Sequence, residues 1–179
     1  MYRFFRKTGF TLVELMVVMS VIGILSSIVY ANYSSSRAVS RDEVRKSALK
    51  SMQVAIELYK SQYGVYPPQG CGTSPTWAGP GPQPAYGCTA DTYVTGLVPD
   101  FIAALPTDPL SENTNGLGFL YRSTGTDYKL MVHNSVETKT VTTYEDEFAR
   151  CPQSYGTANC PAVPMPRVYA VYSPGAVGW

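Results

Sequence analysis

Residues 10–31 read FTLVELMVVMSVIGILSSIVYA, an apolar run of 22 residues that contains one charged side chain, Glu14. A helix rises about 1.5 Å per residue, so a run of this length spans the roughly 30 Å hydrocarbon layer of a membrane. An ordinary secretory leader has a shorter apolar centre, of about 7 to 15 residues, with small residues at a cut beyond it. The stretch therefore predicts a membrane helix, either a plain single-pass anchor or a helix retained after its basic prefix is removed.

The apolar run follows a short basic prefix that ends in Lys7-Thr8-Gly9. The string RKTGFTLVELMVV, over residues 6–18, resembles the class III signal of type IV prepilins and pseudopilins. In that family a dedicated membrane peptidase cuts after the glycine and methylates the new first residue. The resemblance implies a leader of residues 1–9, cleavage between Gly9 and Phe10, N-methylation of Phe10, and a role for Glu14, which holds the family's fifth position, in filament assembly.

Glu14 also needs a physical explanation. A carboxylate inside a membrane segment costs about 2.5 to 3.5 kcal/mol on insertion scales, so it should face a partner rather than lipid. Once the prefix is removed, the new terminal amine of Phe10 is the cation available at that depth. We predict that Glu14 pairs with the Phe10 amine of a neighbouring copy; the alternative is that Glu14 reaches the membrane interface from near the helix end.

Four cysteines follow the apolar run: Cys71, Cys88, Cys151 and Cys160. The first two are 17 residues apart and the last two are 9 residues apart. This even count and spacing favour two disulfides over a zinc site. Four cysteines allow three connectivities, and we favour local pairing because each bridge closes a loop of Gly, Pro and Tyr. Lys and Arg residues flank the apolar run on both sides, so their distribution does not decide its orientation in the membrane. Disulfides require an oxidising compartment, which places the C-terminal part of the chain outside the cytosol.

Proline is absent from Phe10 to Tyr63, and Gly64 with Pro67 and Pro68 provides a stop. The sequence therefore predicts one helix of about 54 residues, roughly 80 Å long. Residues 10–31 form its membrane or filament-core half and residues 32–63 its amphipathic half. The stripe expected to face a core is Val44, Ala48, Met52, Ala55, Ile56, Tyr59 and Tyr63. Ala31 stands where pilins and pseudopilins often carry a proline, so the resemblance does not decide whether the helix breaks there.

Residues 64–179 are predicted to form a head of the α+β class. Residues 64–109 contain 7 Gly and 9 Pro and are interpreted as a stapled loop without regular elements, apart from a helical turn at residues 98–105. Residues 119–121 and 128–132 are predicted to form a hairpin, with a third strand at residues 168–172. The expected fold is pilin-like, with one long N-terminal helix packed on a small antiparallel sheet with disulfide-stapled loops.

The strings YGVYP, GLVPDFIAALPTDP and GFLYRSTGTDYKLMVH resemble the head of the major pseudopilin of type II secretion. Family members of that kind bind calcium in a C-terminal loop. Here the chain ends in SPGAVGW, without a carboxylate, and calcium binds several oxygen ligands that include acids. No metal site is therefore predicted, and the acidic run Glu145, Asp146 and Glu147 is interpreted as a solvated surface.

Enzymatic activity is not predicted. The single histidine, His133, is expected to be a half-exposed strand residue, and no phosphate loop, His-Glu-x-x-His or nucleophile elbow occurs. An anchored enzyme that uses Asp100 with Asp108 stays a distant alternative. Fourteen Lys and Arg against 13 Asp and Glu give a net charge of +1, which does not favour nucleic-acid binding.

The resemblance thus implies a structural subunit of a type II secretion pseudopilus, and no cofactor is expected. The expected partners are copies of itself, minor subunits, the prepilin peptidase and an inner-membrane assembly platform. The chain is expected to cross the bacterial inner membrane once, with its head in the periplasm, before it enters the pseudopilus. A subunit of a type IV pilus, with a role in adhesion, motility or DNA uptake, is the alternative.

Overall fold

The computed structural model describes residues 9–72, 76–80, 87–110, 118–139, 143–154, 156, 160, 165 and 167–179, without the side chains of residues 31 and 32. The chain divides into two compact units, Met1–Ala38 and Val39–Trp179. The first unit is helical from Leu12 onward, and the second contains the rest of that helix together with a β-sheet.

Helix α1 runs from Leu12 to Tyr63 without interruption, which confirms the single long helix. The backbone stays helical at Ala31. The chain leaves the helix at Gly64, whose positive φ of 78° is a conformation that glycine adopts readily. Among the described residues α1 is the one helix long and apolar enough to cross a membrane, and none of its apolar window is buried. The large side chains of this part are open to their surroundings, as for Leu12 at 74% and Val29 at 67% exposure.

The second part of α1 buries one face against the sheet. Leu49, Met52 and Ile56 are fully buried, and their spacing of three and four residues places them on one side of the helix. The expected stripe is wrong at its two ends, because Val44 is 56% exposed and Tyr63 is 53% exposed. The buried stripe is rotated away from Val44, towards a position that the sequence analysis left out, Leu49.

The sheet has five strands in the order β2-β1-β3-β4-β5, with β1 at Trp77–Gly79, β2 at Gly87–Thr89, β3 at Gly118–Ser123, β4 at Tyr128–His133 and β5 at Tyr169–Tyr172. The pairs β1–β3, β3–β4 and β4–β5 are antiparallel, which confirms the predicted hairpin and third strand. The prediction of an irregular loop over residues 64–109 is wrong at β1 and β2, which pair in parallel. Residues 98–105 form no helix; a single turn closes there, where the Phe101 N–H donates to the Leu97 carbonyl at 2.9 Å.

Alternate residues of the sheet enter two different hydrophobic clusters. On the face towards α1, Tyr121, Leu130 and Val171 join the helix residues in the larger cluster. On the opposite face, Leu120 and Met131 form a smaller cluster, against which the C-terminal Trp179 packs. The sheet is therefore a buried central layer rather than a layer with one solvated side.

Two disulfides staple the loops of the head: Cys71–Cys88, with 6.2 Å between Cα atoms, and Cys151–Cys160, with 5.9 Å. This is the local pairing that the sequence favours. The first bridge joins the segment after α1 to strand β2, and the second closes a loop beside the C-terminal segment.

Candidate functional site

The N-terminal end of α1 is closed by a reciprocal hydrogen-bond arrangement between Thr11 and Glu14. The main-chain N–H of Thr11 donates to Glu14 Oε2 at 2.8 Å, and the Thr11 hydroxyl donates to the same oxygen at 2.7 Å. In return the Glu14 N–H donates to Thr11 Oγ1 at 3.3 Å. This is a capping box, which satisfies donors that every helix start leaves without an intrahelical acceptor.

The capping box gives Glu14 a role within its own chain. In the isolated subunit Glu14 stabilises the start of its own helix, and the described bonds to its carboxylate reach Oε2. Gly9 and Phe10 lie immediately before this box as exposed residues, and Phe10 is 85% exposed. The role of Thr11 is absent from the predictions above, although the Thr-x-x-Glu spacing before an apolar run is a recognised signature of a helix start.

A second polar site lies inside the head around Arg45, which is fully buried. Its guanidinium binds Asp108 through two parallel bonds, Nε to Oδ2 at 2.7 Å and Nη2 to Oδ1 at 2.9 Å. Its Nη1 donates to Asp42 Oδ1 at 2.7 Å and to Glu137 Oε1 at 2.8 Å. One cation therefore joins the helix to two segments that lie far from it in the sequence.

The carboxylates of this cluster have further donors. Arg41 forms a two-pronged ion pair with Glu137, with Nε to Oε1 at 2.7 Å and Nη2 to Oε2 at 2.5 Å. Asp42 Oδ2 accepts the main-chain N–H of Thr138 at 2.8 Å and its hydroxyl at 2.6 Å. Two guanidinium groups thus bind three carboxylates, and the arrangement fixes the segment after β4 on the helix.

These contacts shift the pKa values of the acids. The hydrogen bond from Arg41 is the main cause that lowers the pKa of Glu137 to about 2, with Arg45 adding to it against the opposing effect of burial. Burial on its own would raise the pKa of Asp42, but the bonds from Thr138, Glu137 and Arg45 outweigh it and lower the pKa. Both acids are therefore held in their charged form in the folded head.

Acid should destabilise the head through this cluster. Because the pKa of Glu137 is about 2 in the folded chain and about 4.3 in an unfolded one, its contribution to stability is complete above the unfolded value and is lost as the pH falls through the folded one. We expect the free energy of unfolding to fall from pH 5 to pH 2, as measured by urea unfolding of the full chain in detergent. Glu137→Gln should flatten this slope; an unchanged slope in that variant would contradict the assignment.

A third site holds the C-terminal segment on the outer face of the sheet. Lys129 of β4 is fully buried, and its ammonium donates to the main-chain oxygens of Val177 and Trp179, each at 2.9 Å. Asp127 binds the same segment, because its Oδ1 accepts from the Ser173 hydroxyl at 2.6 Å and from the Gly175 N–H at 3.0 Å. Burial is the main cause that lowers the pKa of Lys129, and together with the positive charge of Arg150 it brings this pKa to about 7.

Replacing Lys129 by methionine should loosen the C-terminal segment without unfolding the head. Methionine fills a similar volume but donates no hydrogen bond, so the oxygens of Val177 and Trp179 lose their donor. We expect amide exchange within residues 173–179 to increase at least tenfold, while the free energy of global unfolding changes by less than about 1 kcal/mol. Lys60→Met, at a partly exposed helix position, is the matched control; equal protection of the segment in both variants would contradict this role.

The residues weighed for catalysis or metal binding do not form a site. His133 is buried rather than half-exposed, so that expectation is wrong. Asp108 binds Arg45, whereas Asp100 is exposed. Asp146 pairs with Lys139, and Glu147 pairs with Lys50 at 2.6 Å. Within the described residues no group of three or more His, Cys, Asp or Glu side chains could hold a metal ion.

Comparison with known proteins shows that the N-terminal segment matches a known family. A family model described as the prokaryotic N-terminal methylation motif matches residues 5–30. Core protein G of the type II secretion system of Klebsiella pneumoniae is 31% identical over 104 residues, which cover 58% of this chain and 69% of that protein. The chain belongs to the pilin and pseudopilin superfamily.

Two further relatives define how far the similarity extends. Core protein G of Pectobacterium carotovorum subsp. carotovorum is 30% identical over 128 residues, or 71% of this chain and 68% of that protein. The type IV major pilin protein PilA of Myxococcus xanthus is 38% identical over 61 residues, which cover 34% of this chain and 28% of that protein. No solved structure matches the chain significantly. The similarity to the core G proteins therefore extends over more of this chain than the similarity to the pilin.

Proposed function

We propose that this chain is a structural subunit of a type II secretion pseudopilus. The observation that carries the proposal is an exposed apolar helix that starts in a Thr11–Glu14 capping box directly after Gly9 and Phe10. The relatives named core protein G support the same role, because more than two thirds of each of the first two is covered by the similarity. No catalytic role is proposed.

The subunit has a membrane state and a filament state. Residues 1–9 are the leader, residues 10–31 the membrane segment, residues 32–63 the amphipathic half of the helix and residues 64–179 the head. In the first state the helix crosses the inner membrane and the disulfide-containing head lies outside the cytosol, where the bridges are stable. In the second state the apolar helices of many copies pack together as the core of a filament. Either environment covers the exposed apolar side chains, which water would not.

Processing produces the group that Glu14 requires. A prepilin peptidase cuts between Gly9 and Phe10 and methylates the amine of Phe10, which then lies close to the capping box. The described bonds to the carboxylate reach Oε2, and we assign Oε1 to the Phe10 amine of a neighbouring copy. An inner-membrane assembly platform adds the subunits one at a time, and the Glu14–Phe10 pair forms as each subunit reaches its place. Minor subunits complete the filament.

Intact mass and N-terminal sequencing of the chain from membranes test the processing step. The expected product has lost nine residues and carries one methyl group on Phe10. A chain that keeps Met1, or one that has lost the whole apolar run, would overturn the proposal. Gly9→Ser, which alters the residue before the cut, should leave the leader attached, whereas Gly23→Ser, within α1 and away from the cut, should be processed normally.

A type IV pilus subunit is the second candidate, supported by the similarity to the Myxococcus xanthus pilin. The two functions differ in where the filament ends. Deletion of a pseudopilus subunit should block export of folded proteins and leave surface pili intact. Deletion of a pilus subunit should remove pili and impair adhesion, motility or DNA uptake, with export unchanged. A secretion assay and electron microscopy of the same deletion strain therefore separate the candidates.

A further inference from the structure

Three exposed side chains mark the point at which the apolar run of α1 ends: Tyr30, Tyr33 and Arg37. Their spacing of three and four residues places them on one helix face. Tyr30 is 81% exposed and Tyr33 is 53% exposed, so neither is covered by the chain's own fold. Tyrosine combines an apolar ring with a polar hydroxyl and is enriched where membrane helices meet water.

Arg37 folds back by one turn onto Tyr33. The central carbon of its guanidinium lies 4.2 Å from the centroid of the Tyr33 ring, and its Nη2 donates to the Tyr33 hydroxyl. A guanidinium has five N–H donors in a planar fork, and this bond to Tyr33 uses one of them. The fork is thus held against an aromatic ring, with donors remaining for a ligand.

The depth of this group follows from helix geometry. When α1 starts at one edge of the hydrocarbon layer, its 20 residues from Leu12 to Ala31 rise about 30 Å, which equals the thickness of that layer. Tyr33 comes two residues later, about 3 Å beyond the opposite edge. Because a bilayer measures about 40–45 Å with its headgroups, Tyr33 and the guanidinium against it lie at the level of the lipid phosphates.

We infer that Tyr30, Tyr33 and Arg37 form a binding site for the phosphodiester of a phospholipid headgroup. The leaflet is the one on the side of the head, and the inference rests on the proposed membrane state. The planar fork of Arg37 matches two phosphate oxygens, Tyr33 holds the fork in place, and the exposed ring of Tyr30 lies among the upper acyl chains and glycerol groups. The site fixes how deeply the helix sits in the bilayer before its transfer to a filament.

Solid-state NMR tests the contact directly. The full chain, labelled with ¹⁵N-arginine, is reconstituted into vesicles of phosphatidylethanolamine and phosphatidylglycerol, and dephasing of the guanidinium signals by lipid ³¹P is measured. Arg3 and Arg6 in the basic prefix are replaced by lysine, so that their guanidinium groups give no signal. We expect one strongly dephased guanidinium, lost in Arg37→Gln and reduced at least twofold in Tyr33→Leu.

Arg41→Gln is the matched control, because Arg41 is a neighbouring arginine of the same helix that binds Glu137. The dephased signal should persist in this variant. Absence of any dephased guanidinium in the parent chain, or persistence of that signal in Arg37→Gln, would overturn the inference. Unchanged dephasing in Tyr33→Leu would also overturn the inference, because the Tyr33 ring would then not hold the Arg37 guanidinium in place.

The proposed function has a separate readout in the same samples. Carbonate extraction of the vesicles reports whether the helix is inserted, and mass analysis of the cellular protein reports whether the leader is removed. An inserted, processed chain without a phosphate contact would remove this inference and leave the pseudopilus subunit in place. If carbonate extracts the chain from the vesicles, both the phosphate site and the proposed function are contradicted, because the membrane state itself would be absent.

Discussion

Glu14→Gln is expected to stop filament assembly while leaving the subunit folded in the membrane. A glutamine amide oxygen still accepts the bonds from Thr11, so the helix start is preserved, but the charge that would attract the Phe10 amine is gone. A loss of about 1.4 kcal/mol per contact already lowers each association constant tenfold, and every added subunit experiences the same loss. We expect sheared or pelletable filaments to fall at least tenfold in cells that contain the rest of the assembly machinery, with normal amounts of subunit in membranes.

Thr11→Val is the control that separates charge from capping. Valine removes the hydroxyl and its two hydrogen bonds with Glu14 but keeps both the carboxylate and the main-chain N–H. The helix start should lose about 0.5–2 kcal/mol of local stability, and assembly should continue. Equal loss of filaments in both variants would identify capping as the role of the acid. Normal assembly of Glu14→Leu would exclude any role for it.

Arg45→Met should cause the largest loss of stability in the head. The fully buried guanidinium has bonds to three acids, and its removal leaves Asp42 and Asp108 as buried charges without that cation. Removing one partner of a buried ion pair costs about 3–5 kcal/mol in the free energy of unfolding. Urea unfolding of the full chain in detergent, followed by near-ultraviolet circular dichroism, measures this loss. We expect the disulfides to remain oxidised, so the change reports packing and charge alone.

Two companion variants check the cause. Lys46→Met removes the next cation of the helix, whose pair with Glu43 is partly exposed, and should cost less than about 1 kcal/mol. Adding Asp42→Asn and Asp108→Asn to Arg45→Met should recover part of the lost stability, since the charges left behind are then neutralised. A loss below about 1 kcal/mol in Arg45→Met, or no recovery in the triple variant, would contradict the account.

The sequence predicts the elements whose signals are local. An apolar run without proline gives the long helix, and Gly64 followed by two prolines gives its end. The hairpin is equally local, because β-branched and aromatic residues flank a turn in which Gly125 has a φ of 84°. Each of these features is fixed by residues that lie close together in the chain, so a single sequence is sufficient.

Arg45 shows why the polar cluster could not be predicted. An arginine in an amphipathic helix is usually exposed, so the apolar pattern predicts a buried stripe that does not contain Arg45. Its burial depends on Asp108 and Glu137, which lie 63 and 92 residues along the chain. Only the folded head brings the three together. The burial of Lys129 could not be predicted for the same reason, because its acceptors at Val177 and Trp179 are 48 and 50 residues away in the chain.

Strands β1 and β2 escaped prediction for a different reason. Each has three residues, which is too short for alternation to be visible, and the surrounding Gly and Pro indicate a loop. Their pairing depends on the Cys71–Cys88 bridge and on contact between Ala78 and Tyr121 of β3. Thr11 differs from these strands, because the Thr-x-x-Glu spacing of its capping box is visible in the sequence.

The exposed apolar surface of α1 determines between which environments the subunit can be transferred. More than a dozen large aliphatic side chains of its first half are about half exposed or more, and hydrating each costs about 1.5–3 kcal/mol. The sum, tens of kcal/mol, leaves a negligible population free in water at any time. In the proposed function, each subunit must therefore pass directly between the bilayer and the filament, with the bilayer as the store from which growth draws subunits.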